Sequence, residues 1–359
     1  MNLSLLARTS RICRFFTMAQ SVPYITFNNG QRAPMLGLGT SQFSFVEGKG
    51  PVSSCQGTRE AVETAIDIGY RLFDTALVYE NEVEIGKAIR NKIADGTVRR
   101  EDVFVTTKLW GTFMDPARVL DGLKLSLKNL QLDYVDLFLV HVPTAYEYVD
   151  DHTFNPRDAD GKIRFVKADH AAVWKAMEQL VDQGLTKSIG VSAFNKEQLQ
   201  FVLDHCRIKP ANLQTEGHAY LMDDEIFELC RQHGITVTAF APLGSPARWM
   251  KKFKADDPTL TEDPVVLKIA QKHNKSPAQI LIRYLNERGR MAIPRSTSRP
   301  HLQENFNVFD FEFAAEEVEA LKGLDRKGSI RYFPFDHLKD SPDAPYSVPG
   351  SIKNGWTAS

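Results

Sequence analysis

Acidic residues are missing from the start of this 359-residue chain, where the first is Glu47. The leading stretch MNLSLLARTSRICRFFTMAQ carries Arg8, Arg11 and Arg14 among apolar and hydroxyl residues instead. That composition fits an amphipathic mitochondrial presequence, while its apolar part (Leu3, Leu5, Leu6) is too broken for a secretory signal. Met18 would start a cytoplasmic form without it. Both destinations stay open, with the cytoplasm as the default.

Other absences narrow the class. The four cysteines (Cys13, Cys55, Cys206, Cys230) show no CxxC spacing, which suits a reducing compartment, and no metal-ligand cluster emerges. Apolar runs such as ITVTAFAPLG are too short and interrupted to span a bilayer, so no membrane partner is expected. A net charge of −1 lacks the basic excess of a general nucleic-acid binder. The dinucleotide fingerprint G-x-G-x-x-G is also lacking: GLGTSQF offers only G-x-G, with no helix directly behind it.

What is present is alternation. Hydrophobic residues make up 43% of the chain and charged ones 25%, an ordinary globular balance for one large α/β domain or two smaller ones. Amphipathic stretches (TREAVETAIDIG, NEVEIGKAIRNKI, PARVLDGLKLSLKNL, HAAVWKAMEQLVDQG, KEQLQFVLDHC, DDEIFELCRQHG) alternate with the short runs RLFD, VFVTTK, VDLFLVH, TKSIGVS, ANLQTE and ITVTAF. Near-continuous apolar strands between helices indicate a parallel sheet buried on both faces. With MLGLG first and MAIP last the strands number eight, predicting an α/β fold of the (β/α)8 TIM-barrel type. YITFNNGQRAP, with Asn-Gly between two short runs, predicts a hairpin over the barrel's bottom. The expected organisation is an extension over 1–20, a barrel over 21–335 and a tail over 336–359. The segment RYFPFDHLKDSPDAPYSVPG, rich in proline and aromatics, reads as a movable loop near the substrate rather than a helix.

The C-terminal strand ends of a barrel converge on one mouth. Asp74 closes RLFD, Lys108 closes VFVTTK, His141 closes VDLFLVH, and Tyr79 lies in the loop after Asp74. One charged strand end alone is commonly structural. Three adjacent strands delivering ionisable groups to one face point to chemistry. A free phenol, with a pKa near 10, donates poorly to a carbonyl at pH 7. A neighbouring ammonium is expected to lower that value, a carboxylate to hold the ammonium, and a neutral imidazole to orient the carbonyl oxygen. The set contains no nucleophile and no hydride source, so a cofactor must supply the other half of the reaction.

GYRLFDTALVYENEVEIGKAI, TTKLW, DYVDLFLVHVP, GLTKSIGVSAFN, FAPLGSP and IPRSTSRPHLQENFNVFDFE together resemble the aldo-keto reductase family, from about Tyr24 to Phe335. LGSPARW and EDPVVLKIAQKHNKSPAQILIR look most like its aldose and aldehyde reductase branch. The resemblance implies reduction of a small carbonyl substrate with NADPH, and a monomer. Tyr79 would be the general acid, tuned by Lys108 and Asp74, with His141 orienting the carbonyl beside Trp110, Tyr146 and Trp249. Cofactor contacts carried over are Gly39, Thr40, Ser192, Gln214, Phe240, Leu243, Ser245, Arg295, Ser296, Glu304 and Asn305. Ser-Arg-Pro beyond Ser296 reads as a helix start suited to a 2′-phosphate.

Four kinds of departure from the family pattern stand out. Ala193 replaces an asparagine that helps hold the carboxamide, and Phe240 replaces a tyrosine. His301 replaces an arginine at the 2′-phosphate. Ser41 and Val142 stand where two indoles are frequent, implying a wider pocket. A non-catalytic relative on the same fold would show an eroded tetrad or a long interaction segment, whereas all four tetrad positions here are filled.

Overall fold

The computed structural model describes residues 22–46, 50–53, 55–245 and 258–345. The chain enters as a hairpin of β1 (Tyr24–Thr26) and β2 (Arg32–Pro34), paired Tyr24 to Pro34 and Thr26 to Arg32. β3 (Leu38–Gly39) begins the main sheet, and a second hairpin, β4 (Phe43–Val46) with β5 (Gly50–Ser53), interrupts the path to the first helix. The sequence reading did not anticipate that second hairpin. Alternation then follows as expected: α1 (Thr58–Ile68), β6 (Leu72–Asp74), α2 (Glu82–Ala94), β7 (Phe104–Leu109), α3 (Val119–Leu130) and β8 (Val135–Val140). A small pair, β9 (Ala145–Tyr146) and β10 (Phe165–Val166), decorates the next loop. α4 (His170–Asp182), β11 (Thr186–Ser192), α5 (Lys196–His205), β12 (Asn212–Glu216), α6 (Asp224–Gln232) and β13 (Thr236–Phe240) continue the pattern. α7 (Pro264–His273), α8 (Pro277–Glu287), β14 (Arg290–Ala292), α9 (Arg299–Phe306) and α10 (Ala315–Lys322) complete it.

The eight central strands run parallel in the order β14-β13-β12-β11-β8-β7-β6-β3. The sheet curls until its edges meet: Leu36 bridges Ala292 in parallel, and the Gly37 amide donates to the Ala292 carbonyl at 2.9 Å. The fold is a (β/α)8 barrel. β7 and β8 are buried at every position, as strands covered by barrel interior and helices must be. Each helix buries one stripe; in α1 it is Thr58, Ala61, Val62, Ala65 and Ile66, the spacing of a single helical face. Local chemistry sets helix starts: Asp169 accepts from the Ala172 amide to cap α4, and Asn195 and Gln198 form a capping box on α5.

Two of the three apolar clusters among the described residues organise the interior below the mouth. The larger lies between sheet and helices. The smaller fills the barrel's lower half, where Leu72, Phe104, Leu137 and Met291 pack with Phe27, Ala33 and Met35 of the N-terminal segment. Asn28 donates to the Pro210 carbonyl and Asn29 to Ser188 at the entry of β11, so the first hairpin plugs the bottom. With that end stoppered, the opposite mouth is where side chains can meet a ligand. No helix among the described residues is long and apolar enough to cross a membrane.

Candidate active site

Asp74, the last residue of β6, and Lys108, near the end of β7, meet at the mouth. The Lys108 ammonium donates to Asp74 Oδ1 at 2.6 Å and to the Thr75 carbonyl at 2.8 Å, and its side chain is fully buried. Asp74 Oδ2 accepts from Gln214 Nε2 at 2.6 Å. Burial opposes charging of Lys108, but the Asp74 and Tyr79 charges and hydrogen bonds outweigh it, leaving the ammonium above the ordinary lysine value. Its Nζ lies 5.0 Å from the centre of the Tyr79 ring.

Tyr79 rides on a single helical turn, Leu77–Tyr79, directly beyond β6. Its hydroxyl is 3.4 Å from His141 Nε2, and the two rings meet edge to face. The expected lowering of the phenol does not prevail. Burial raises it above 10, Lys108 and a hydrogen bond to Ser41 pull downward, and Asp74 adds to the rise. Desolvation exceeds the ammonium's pull because the phenol is only 9% exposed. Tyr79 is therefore a fully protonated phenol at neutral pH.

His141 continues the ladder past β8, its amide donating to the Leu109 carbonyl. Burial, reinforced by Lys108, holds its imidazole well below the ordinary value, so the ring is neutral. Nδ1 is buried without a hydrogen-bond partner. An unpaired lone pair is tolerated better than an unpaired N–H, so the proton belongs on Nε2, facing Tyr79.

Trp110 stands across from His141, rings 5.2 Å apart, with its indole N–H donating to the Phe154 carbonyl. Tyr146 stacks behind Trp110 at 5.4 Å and is 2% exposed, so it props the indole rather than facing the mouth. Gly111 permits that stacking, since a Cβ there would sit 2.2 Å from the Tyr146 ring. Trp249 lies outside the described residues. At Val142 the expected width is not open. Val142 and Leu338 are each 1% exposed in one cluster with Tyr79 and Trp110, so the C-terminal segment refills the missing indole's space.

The positions expected to hold a cofactor fall into three groups. Ser192 ends β11 in register with Gln214 in the middle of β12, and the carboxamide of Gln214 is already engaged with Asp74. Ala193 has φ 57, a left-handed conformation in which asparagine is at ease and alanine is not. Phe240 ends β13 and meets Phe333 edge to face, while Leu243 and Ser245 follow in the next loop, half-buried. Gly39, Thr40, Arg295 and Ser296 line one small pocket with Thr58 and Val62 of α1. Gly39 also has a packing reason, because a Cβ would lie 2.6 Å from the Ile293 carbonyl. Glu304 and Asn305 sit on α9, whose start at Arg299–Pro300 matches the expected helix.

Sequence reasoning missed a polar layer beneath the tetrad. Thr40 Oγ1 donates to the Asp74 carbonyl, and buried Asn81 donates to the Thr40 carbonyl and accepts from Thr75. Asn81, immediately after Tyr79 and Glu80, carried no periodic signal.

A (β/α)8 barrel whose mouth gathers tyrosine, lysine, aspartate and histidine defines a class of carbonyl oxidoreductases. The chain belongs to the aldo/keto reductase family, whose family model matches residues 35–326, and it acts on carbonyl groups with a nicotinamide cofactor. It is 40% identical over 327 residues to "Prostaglandin F synthase 2" of Bos taurus, covering 90% of this chain and 97% of that protein. "Aldo-keto reductase family 1 member A1" of Xenopus tropicalis is 41% identical over 310 residues, covering 86% and 90%. The solved aldose reductase of Schistosoma japonicum superposes with a TM-score of 0.80 at 40% identity, covering 90% and 98%.

Proposed function

We propose that this protein reduces aldehydes and ketones to alcohols with NADPH, Tyr79 supplying the proton. The observation that carries this is the buried line Asp74–Lys108–Tyr79 with His141 Nε2 3.4 Å from the Tyr79 hydroxyl. A carbonyl oxygen placed between Tyr79 and His141 would accept from the phenol and from Nε2–H together, which orients it and stabilises developing negative charge. A reduced nicotinamide supplies the hydride when bound. The high phenol pKa does not impede the transfer, because an alkoxide is far more basic than a phenolate. Lys108 then stabilises the phenolate left behind, and Asp74 keeps that ammonium compensated.

The residues fit the cofactor. Arg295 has no carboxylate partner among the described residues and stands before the start of α9, where a phosphate gains a guanidinium and helix amides together. Ser296 and the Gly39–Thr40 turn would close the same pocket, with Glu304 and Asn305 toward the adenine. Ser192, Gln214 and Phe240 would hold the nicotinamide, with Leu243 and Ser245 along the pyrophosphate. The test is cofactor oxidation across a panel of aldehydes and ketones, with NADPH and NADH compared. Substrate-dependent oxidation favouring NADPH is expected; no turnover with any carbonyl would overturn the reading.

A further inference from the structure

Asn81 occupies the N-cap of α2, where an asparagine side chain ordinarily accepts from the helix's own first amides. Here it makes no such cap. The residue is fully buried, and its carboxamide points to two other strands instead. Oδ1 accepts from the Thr75 hydroxyl at 2.7 Å, while Nδ2 donates to the Thr40 carbonyl at 2.8 Å and to Thr40 Oγ1 at 3.3 Å. Thr40 in turn grips the neighbouring strand, its amide and hydroxyl both donating to the Asp74 carbonyl, at 3.1 and 2.8 Å. One side chain therefore joins the residue after β3 to the residue after β6.

Thr75 matters because of what its backbone holds. Its amide donates to the Thr106 carbonyl at 2.8 Å, carrying the β6–β7 ladder one residue further. Its carbonyl is the second acceptor of the Lys108 ammonium, at 2.8 Å, beside the 2.6 Å bond to Asp74. A lysine ammonium is a point charge with rotatable donors on a flexible stem, so one carboxylate alone does not fix where it sits. Two acceptors held in place do. Gln214 steadies the Asp74 carboxylate, and Asn81 stands in the corresponding position behind Thr75. The anchor is itself fastened. Glu82, the next residue and also buried, accepts from Thr107 Oγ1 at 2.6 Å and from Asn129 Nδ2 at 3.0 Å. That ties the start of α2 to β7 one residue before Lys108.

We propose that Asn81 is a positioning residue for Lys108. Through the Thr75 hydroxyl it fixes the residue whose carbonyl, together with Asp74, sets where the ammonium sits beside Tyr79. The catalytic consequence rests on the carbonyl-reduction reading; the placement of the ammonium does not.

Thr75→Val removes the hydroxyl and keeps the backbone carbonyl, whereas Thr75→Ser keeps both. NMR of the Lys108 ammonium in the full chain, its resonance identified by its absence in Lys108→Met, reads the placement without substrate or cofactor. The ammonium protons should exchange at least about tenfold faster in Thr75→Val, and Thr75→Ser should recover most of the difference. Asn81→Leu should accelerate exchange as Thr75→Val does; the threonine pair decides even where Asn81→Leu does not fold. Unchanged exchange in Thr75→Val, or equal acceleration in Thr75→Ser, would overturn the proposal. In the kinetic arm, Thr75→Val should lower kcat for a small aldehyde about tenfold, with KM and NADPH affinity within about twofold of the parent. A loss confined to KM would overturn the catalytic part. Failure of the parent protein to reduce any carbonyl would instead strike the reduction reading, with the exchange arm still deciding the placement.

Discussion

Gln214 and Lys108 share one carboxylate: each donates to a different oxygen of Asp74, both at 2.6 Å. The residue expected beneath the nicotinamide is thereby wired to the ammonium expected beneath the phenol. Asp74→Leu should leave a buried cation unpaired and cost about 3–5 kcal/mol of stability. The double variant Asp74→Leu with Lys108→Met should recover most of that stability while remaining inactive. Denaturant melts of the three proteins check this; a double variant no more stable than the single would show that the pair is not electrostatically coupled.

Tyr79→Phe keeps the ring and removes only the hydroxyl. Turnover should fall by about 10² to 10⁴, with NADPH affinity nearly unchanged in a fluorescence titration. Near-normal turnover would take Tyr79 out of the mechanism.

The pH behaviour has two parts with different signs. His141 is held neutral, with its folded value well below the 6.5 of an ordinary imidazole, and Tyr79 is raised above 10. Neither group should change charge near neutrality, so kcat for reduction should be flat from about pH 6 to 9. Stability differs. A depressed histidine contributes fully above its unfolded value and progressively less as pH falls below about 6.5 toward the folded value, because the unfolded chain binds the proton first. Urea midpoints should therefore drop on acidification, less steeply in His141→Gln. A kcat that half-titrates near pH 6.5 would contradict the neutral imidazole.

Restoring the indole at Val142 should not simply narrow a pocket. Leu338 already fills that space, so Val142→Trp should overpack the cluster and cost about 1–3 kcal/mol. Leu338→Ala in the same chain should relieve the cost, a coupling that a double-mutant cycle reads directly. Additive effects would mean that the two side chains do not compete.

Tyr146 carries a buried hydroxyl without a hydrogen-bond partner. Tyr146→Phe should be neutral or stabilising by up to about 1 kcal/mol, since an unsatisfied polar atom is removed and the stack on Trp110 is kept. KM for aldehydes should not change. A raised KM would return Tyr146 to the substrate wall.

The eight strands, the bottom hairpin and the gathering of Asp74, Lys108, His141 and Tyr79 were legible in the sequence because each rests on a local signal. Strand ends carry their own punctuation, and the barrel's symmetry brings those ends to one mouth without further information. The tetrad's electrostatic balance was not legible. Whether Lys108 or burial governs the Tyr79 phenol depends on how much water the finished mouth admits, which no spacing encodes. Gln214's engagement with Asp74 joins positions 140 residues apart, and the Asn81–Thr40–Thr75 layer likewise exists only once β3 and β6 lie side by side. The refilled pocket is the sharpest case. Ser41 and Val142 were visible as small residues, but space is a property of everything around it, and Leu338 arrives from a segment with no periodicity to read. Local chemistry determined what each element is and which residues face the mouth; tertiary packing decided their charge states, their partners and whether the mouth is open.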